Sequence, residues 1–401
     1  MTKSTQWHFA LAMILALAHL KPAVADKKYG PGVTDTEIKI GQTMPYSGPA
    51  SAYSTIGKAE AAYFRMINEQ GGVNGRKIVL ISLDDGYTPS KTVEQTRKLV
   101  EQEGVLLIFS TVGTVTNAAV QRYLNQNGVP HLFLVSGSSR WNDPEHFPWT
   151  MGFPPSYQIE GRILARYIAI ERPDAKVGVL YQNDEFGKDY LKGFQGGLGT
   201  HAKIVMEVSY DVTDATVDSQ IVSLKTSGAD VFVDFSTAKF AALAIRKAYD
   251  VGWTPLHLLP SPSTSRSAVL QPAGLEKATG IVSLQFSKDP TDPQWKNDPA
   301  VQEWLEWMNK YYPDGDKASS YNVTGYNWAT TLVQVLKQCA DDLTRENVMR
   351  QAANLDVSLP MLLPGIKVST GPKQFSPIRD VQFKRFNGQF WESFGEVMRP
   401  E

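Results

Sequence analysis

The residues of this chain able to do chemistry are mostly small hydroxyls and aromatics gathered in three loops. These are Tyr46-Ser47-Gly48-Pro49-Ala50-Ser51-Ala52-Tyr53, Ser110-Thr111-Val112-Gly113-Thr114 and Ser136-Gly137-Ser138-Ser139. None carries a base or the partner of a nucleophile, so the chemistry on offer is hydrogen bonding rather than bond breaking. Turn formation and helix capping explain any one loop alone, but three in one unit point to a ligand. Beyond residue 25 the histidines are His131, His146, His201 and His257. They are scattered, and with a single cysteine they supply no metal-ligand spacing, so no metal site and no cofactor is expected. Phosphate-binding glycine motifs and the GxSxG elbow are absent. Ser236-Thr237-Ala238-Lys239 fits an SxxK acylase pattern without its companion motifs. Ser236 or Thr237 reads better as the N-cap of a helix reaching Asp250, so no catalytic residue is assigned.

These loops sit between elements that alternate regularly. Strands are expected at Glu37–Thr43, Lys77–Asp84, Val105–Phe109 and His131–Val135, with helices at Thr55–Glu69, Thr88–Glu103 and Thr116–Asn127 between them. Proline and aromatic residues around 147–156 mark a connection between domains. A second alternation follows, with helices at Tyr157–Glu171, Glu185–Gly197, Val217–Ser227 and Thr237–Asp250 and strands at Lys176–Gln182, Ile204–Tyr210 and Val231–Phe235. Two α/β units with parallel sheets are therefore expected in series. The last third offers too few strands for a third sheet, so it completes the first two, and a chain crossing repeatedly between lobes makes a hinge and a cleft. In such sheets ligands bind beyond the carboxyl ends of the strands, where helix N-termini present unpaired N–H groups.

The chain has 401 residues, 42% of them hydrophobic, with 40 basic and 41 acidic side chains. That excludes disordered and fibrous classes, and the near-zero charge argues against a nucleic-acid partner. Lys3, the apolar run Trp7–Leu20 and Ala23-Val24-Ala25 have the three regions of a secretory signal cleaved after Ala25. The mature chain is expected to be exported, soluble and monomeric. Cys339, alone and inside an apolar helical pattern, reads as a buried structural thiol.

A set of motifs then resembles the exported solute-binding proteins of ABC importers, in particular the branched-chain amino-acid-binding (Leu/Ile/Val-type) family. Its carriers are Ile38-Lys39-Ile40-Gly41, Ser47-Gly48-Pro49, the run from Ile67 to Arg76, Asp84-Asp85 before Pro89, Gly128-Val129-Pro130 and Asn183-Asp184-Glu185-Phe186-Gly187. The resemblance implies a type I periplasmic binding protein fold: two doubly wound parallel-sheet lobes, joined by a multi-crossover hinge, closing on a ligand. Lobe 1 would comprise residues 26–152 and 283–357, and lobe 2 residues 153–282 and 358–401. It further implies that Thr114 meets the ligand carboxylate, with Ser136 and Ser138 holding the head group. Tyr53 and Tyr326 fall where aromatics meet the ligand, with lobe core the alternative for each, and Phe186 stands where the family commonly has a second-lobe tyrosine. The implied partners are a small-molecule ligand and an inner-membrane ABC permease.

One departure bears on the ligand. Amino-acid binders of this family pair the ligand ammonium with a second-lobe carboxylate, in the loop corresponding to Leu259–Ser265, and here that loop has no acid. A buried ammonium without a counter-charge is costly. Asp234, at a strand end, could substitute. The expectation is a hydrophobic, aromatic carboxylate ahead of a branched-chain amino acid, with a sensor or an SxxK acylase as the competing functions.

Overall fold

A computed structural model describes residues 27–200 and 202–399; the signal-sequence reading lies outside the described residues. The first sheet holds β1 (Glu37–Met44), β2 (Lys77–Asp84), β3 (Leu107–Phe109), β4 (His131–Leu134) and β5 (Thr150–Gly152). All are parallel, in the order β2-β1-β3-β4-β5. The second sheet contains β6 (Lys176–Gln182), β7 (Lys203–Tyr210), β8 (Val231–Phe235), β9 (Leu256–Leu258) and β10 (Val282–Gln285), with β11 (Val381–Phe386) and β12 (Trp391–Met398). Its order is β12-β11-β10-β9-β8-β6-β7, parallel except where β11 and β12 pair antiparallel at one edge. The five parallel strands of each lobe thus share one winding order, whose reversal at β1/β3 and at β6/β8 opens a crevice at the strands' carboxyl ends.

The helices are α1 (Ser54–Glu69), α2 (Pro89–Arg97), α3 (Thr114–Gln126), α4 (Tyr157–Glu171), α5 (Glu185–Gly197), α6 (Asp218–Thr226), α7 (Ala238–Asp250), α8 (Pro299–Tyr311), α9 (Ser320–Gln338) and α10 (Arg345–Ala352). In α1 the residues Ile56, Ala59, Tyr63 and Ile67 recur at three- and four-residue spacing and are all buried, so apolar periodicity seats it on the first sheet. α9 crosses α1 closely because Gly325 has no side chain: a Cβ there would lie 2.5 Å from the Ile56 carbonyl oxygen. Helices α8 to α10 supply Trp304, Trp328, Leu332 and Val348 to the first core, so the last third does fold back onto lobe 1. Residues 358–378, expected with lobe 2, also contribute Leu359, Val368, Phe375 and Ile378 to that core, and only from Val381 does the chain enter the second sheet. Their apolar pattern suits the first core, and the Ile378 N–H donates to the Phe153 carbonyl beside the first crossing (3.3 Å). The chain therefore passes between lobes after β5, after β10 and before β11.

Cys339 is buried at the end of α9, where burial pushes its thiol up to about 12. Among the described helices none is long and apolar enough to cross a membrane.

Candidate functional site

The carboxyl ends of the two sheets face each other across a cavity of about 90 Å³. The first lobe contributes Tyr53, Tyr87, Gly113 with Thr114, and Val135, from the segments that follow β1, β2, β3 and β4 in turn. The second contributes Tyr157, Phe186, Thr237, Ser261 and Pro262, and α9 adds Ser320, Tyr321, Thr324 and Trp328. None of the described lining side chains is charged.

Thr114 is the first residue of α3, and Gly113 before it takes φ 103, so no side chain caps this helix. Its first-turn N–H groups are left toward the cavity, with the positive end of the helix dipole behind them. The end is rigid. Asn117 donates to the Thr111 carbonyl (3.0 Å), and the His131 Nε2 lies 2.9 Å from the Thr111 hydroxyl and 3.0 Å from Asn117 Oδ1. Burial pushes His131 down to about 3, so it is a neutral structural group.

Ser136 sits one layer behind. Its hydroxyl accepts from Trp141 Nε1 (2.9 Å) and more weakly from the Ser138 N–H (3.4 Å), and it lies 2.8 Å from the Thr114 hydroxyl. The two hydroxyls share that bond, in which either can donate, so Ser136 holds Thr114 beside the open helix end. Ser138 itself is buried in the turn that follows and does not line the cavity.

Tyr53 reaches across the cleft: its hydroxyl accepts from the Ala238 N–H (3.1 Å), the first residue of α7, while its ring packs on Tyr321 (4.9 Å between centroids). Phe186 meets Tyr157 edge to face at 5.2 Å. The Tyr321 hydroxyl donates to the Pro262 carbonyl (2.9 Å), a second polar contact between lobes. Behind the second-lobe wall, the buried Glu160 accepts from the Ser261 hydroxyl (2.7 Å), the Ser261 N–H (3.3 Å) and the Tyr190 hydroxyl (2.9 Å). Burial outweighs those bonds and pushes its carboxyl up to about 7.

Two expected residues stand elsewhere. Tyr326 packs in the first core against Tyr63 (5.0 Å) and Trp307 (4.9 Å). The helical repeat explains this: Tyr321, Thr324 and Trp328 share one face of α9, and position 326 turns away from it. Asp234 lies within β8, on the sheet face covered by α6 and α7, with Oδ2 3.6 Å from His257 Nε2. Strand alternation aims it into the lobe rather than out of the strand end. Thr237 is the N-cap of α7 by position only, since its hydroxyl donates to Gln182 Oε1 (3.0 Å) and accepts from no N–H of the helix. Sequence reasoning overlooked Tyr87, Tyr321, Thr324 and Trp328; the spacing of the last three along one helix face was the signal available.

With this geometry in hand, the chain can be set beside known proteins. A family profile described as periplasmic binding protein matches residues 37–389, and the chain belongs to that family. It is similar to the Leu/Ile/Val-binding protein homolog 7 of Brucella abortus (strain 2308), with 23% identity over 330 residues covering 79% of this chain and 81% of the relative. Among solved structures it is similar to a branched-chain amino acid ABC transporter protein of Thermus thermophilus with bound valine, at TM-score 0.82 and 16% identity, covering 92% and 98% of the two chains. It is also similar to a fatty acid ABC transporter substrate-binding protein of Thermomonospora curvata, at TM-score 0.77 and 20% identity, covering 94% and 95%.

Proposed function

We propose that this chain is the exported, monomeric substrate-capturing component of an ABC importer and that it takes a small hydrophobic carboxylate. The observation that carries this reading is the uncapped N-terminus of α3 with the Thr114 hydroxyl beside it, opening into a cavity walled otherwise by aromatic and apolar side chains and a few hydroxyls. A carboxylate docks there on first-lobe donors, Ser136 orients Thr114 from behind, and the second lobe closes with Phe186 and Tyr157 over the apolar body. Closure excludes water and strengthens those hydrogen bonds. The closed form then passes its cargo to a permease of the inner membrane.

Relatives named for leucine, isoleucine and valine support a branched-chain or similar hydrophobic amino acid as the cargo. A second reading, an aromatic or other hydrophobic acid lacking the amino group, is favoured by one observation. An ammonium in this cavity would meet hydroxyls and no carboxylate, because Glu160 stands behind Ser261. Ligand-stripped protein tested by calorimetry against leucine, valine and phenylalanine, and against 4-methylpentanoate and 3-phenylpropionate, separates the two. Binding of the amino acids alone establishes the first reading, binding of the deaminated acids alone the second, and binding of none refutes the function proposed.

A further inference from the structure

Between β2 and α2 the chain turns through Asp85-Gly86-Tyr87-Thr88, closed by the Thr88 N–H donating to the Asp85 carbonyl (3.0 Å). Both central residues have positive φ, 57° at Gly86 and 60° at Tyr87, the pattern of a type I′ turn. The second central position of such a turn favours glycine or asparagine, and a bulky side chain there is strained. The strain is held by Asp85, buried, whose Oδ1 accepts from the Tyr87 N–H (2.9 Å) and whose Oδ2 accepts from the Thr92 hydroxyl (2.8 Å).

The strained residue is aimed at the ligand site. Tyr87 is 5% exposed and lines the cavity. Its ring lies directly on Gly113: a Cβ at Gly113 would stand 2.5 Å from Tyr87 Cε2. The ring is therefore the floor beside the open end of α3. A turn position that would fold better with glycine thus holds a tyrosine whose ring forms the floor of the ligand site.

We infer that Tyr87 sets the depth of the ligand site, an inference that rests on the ligand reading above. It is tested with the pairs valine and phenylalanine, and isovalerate and 3-phenylpropionate. Tyr87→Leu and Tyr87→Ala should raise the affinity ratio of larger to smaller ligand at least tenfold in whichever pair binds, and an unchanged ratio in the variant that folds overturns the depth role while leaving the ligand reading in place. If neither pair binds the parent protein, the ligand reading and the depth role fall together.

Discussion

The two lobes place a helix N-terminus at equivalent points of the same winding, α3 after β3 and α7 after β8, and they treat these ends differently. Neither helix is capped by its own side chain. On α7 the missing cap comes from the other lobe, as the Tyr53 hydroxyl accepts from Ala238. On α3 the end stays open, preceded by a glycine and flanked by the Thr114 hydroxyl. One end is therefore closed only when the lobes meet, and the other is the end that the proposed function gives to the ligand's carboxylate. The contrast with α5 sharpens the point, since Asp184 caps that helix from within, accepting from the Phe186 and Gly187 N–H groups.

The largest effect is expected from spoiling the open end. Gly113→Ala adds a Cβ 2.5 Å from the Tyr87 ring and 2.6 Å from the Thr116 hydroxyl, at a φ of 103 that non-glycine residues rarely adopt. A cost of about 3 kcal/mol is expected from strain and overlap. Chemical denaturation should show it, together with at least hundredfold weaker ligand binding.

Next is Glu160, whose behaviour tests how the second-lobe wall is held. A carboxyl raised from its ordinary 4.5 to about 7 binds its proton more tightly in the folded state. Its contribution is fully present below pH 4.5 and is lost as pH rises through about 7, on the order of 3 kcal/mol. In Glu160→Gln, the difference in unfolding free energy from the parent should grow in favour of the variant across that window; a difference independent of pH would show that Glu160 titrates normally.

Thr114→Val removes the donor while keeping the shape. Ligand affinity should fall ten- to hundredfold, as for a hydrogen bond to a charged group of about 1.5–3 kcal/mol, with Thr114→Ser restoring most of it. Tyr53→Phe uncaps α7 across the cleft and should weaken binding only two- to tenfold, through closure rather than contact. The smallest effect belongs to the rim, where Arg140 pairs with Glu185 across the lobes with both side chains partly exposed. Arg140→Ala should change affinity by less than about threefold, and high salt should erase the difference.

The longer strands are legible because they are runs rich in β-branched and other apolar residues: Lys77–Asp84, Lys176–Gln182 and Val231–Phe235 are read from sequence with the bounds the structure has. The three-residue strands Thr150–Gly152 and Leu256–Leu258 are too short to show a period and escaped notice. The helix expected at Thr88–Glu103 ends at Arg97, and a wider turn at Lys98–Gln102 takes up the rest, a change in winding that side-chain pattern does not encode. At the site, the loops that hold Thr114 and Tyr53 are legible from topology, while the roles of both and the choice of Phe186 come from the family resemblance. The wall from α9 is not legible in this way, because it arrives some two hundred residues later in the chain, and choosing Tyr321 over Tyr326 requires knowing which face of that helix meets α1. Tyr87 was hidden for another reason: a tyrosine after Asp-Asp-Gly carries no sign that it occupies a glycine-like turn position.

The account stands most directly on the claim that the ligand's carboxylate is held at the open end of α3. Calorimetry should compare a ligand that binds with its primary amide, leucine with leucinamide or 3-phenylpropionate with 3-phenylpropanamide, at one pH and ionic strength. Loss of the negative charge at an uncapped helix terminus and a charge-assisted hydrogen bond predicts at least a hundredfold drop in affinity. Equal affinity for acid and amide would contradict the account.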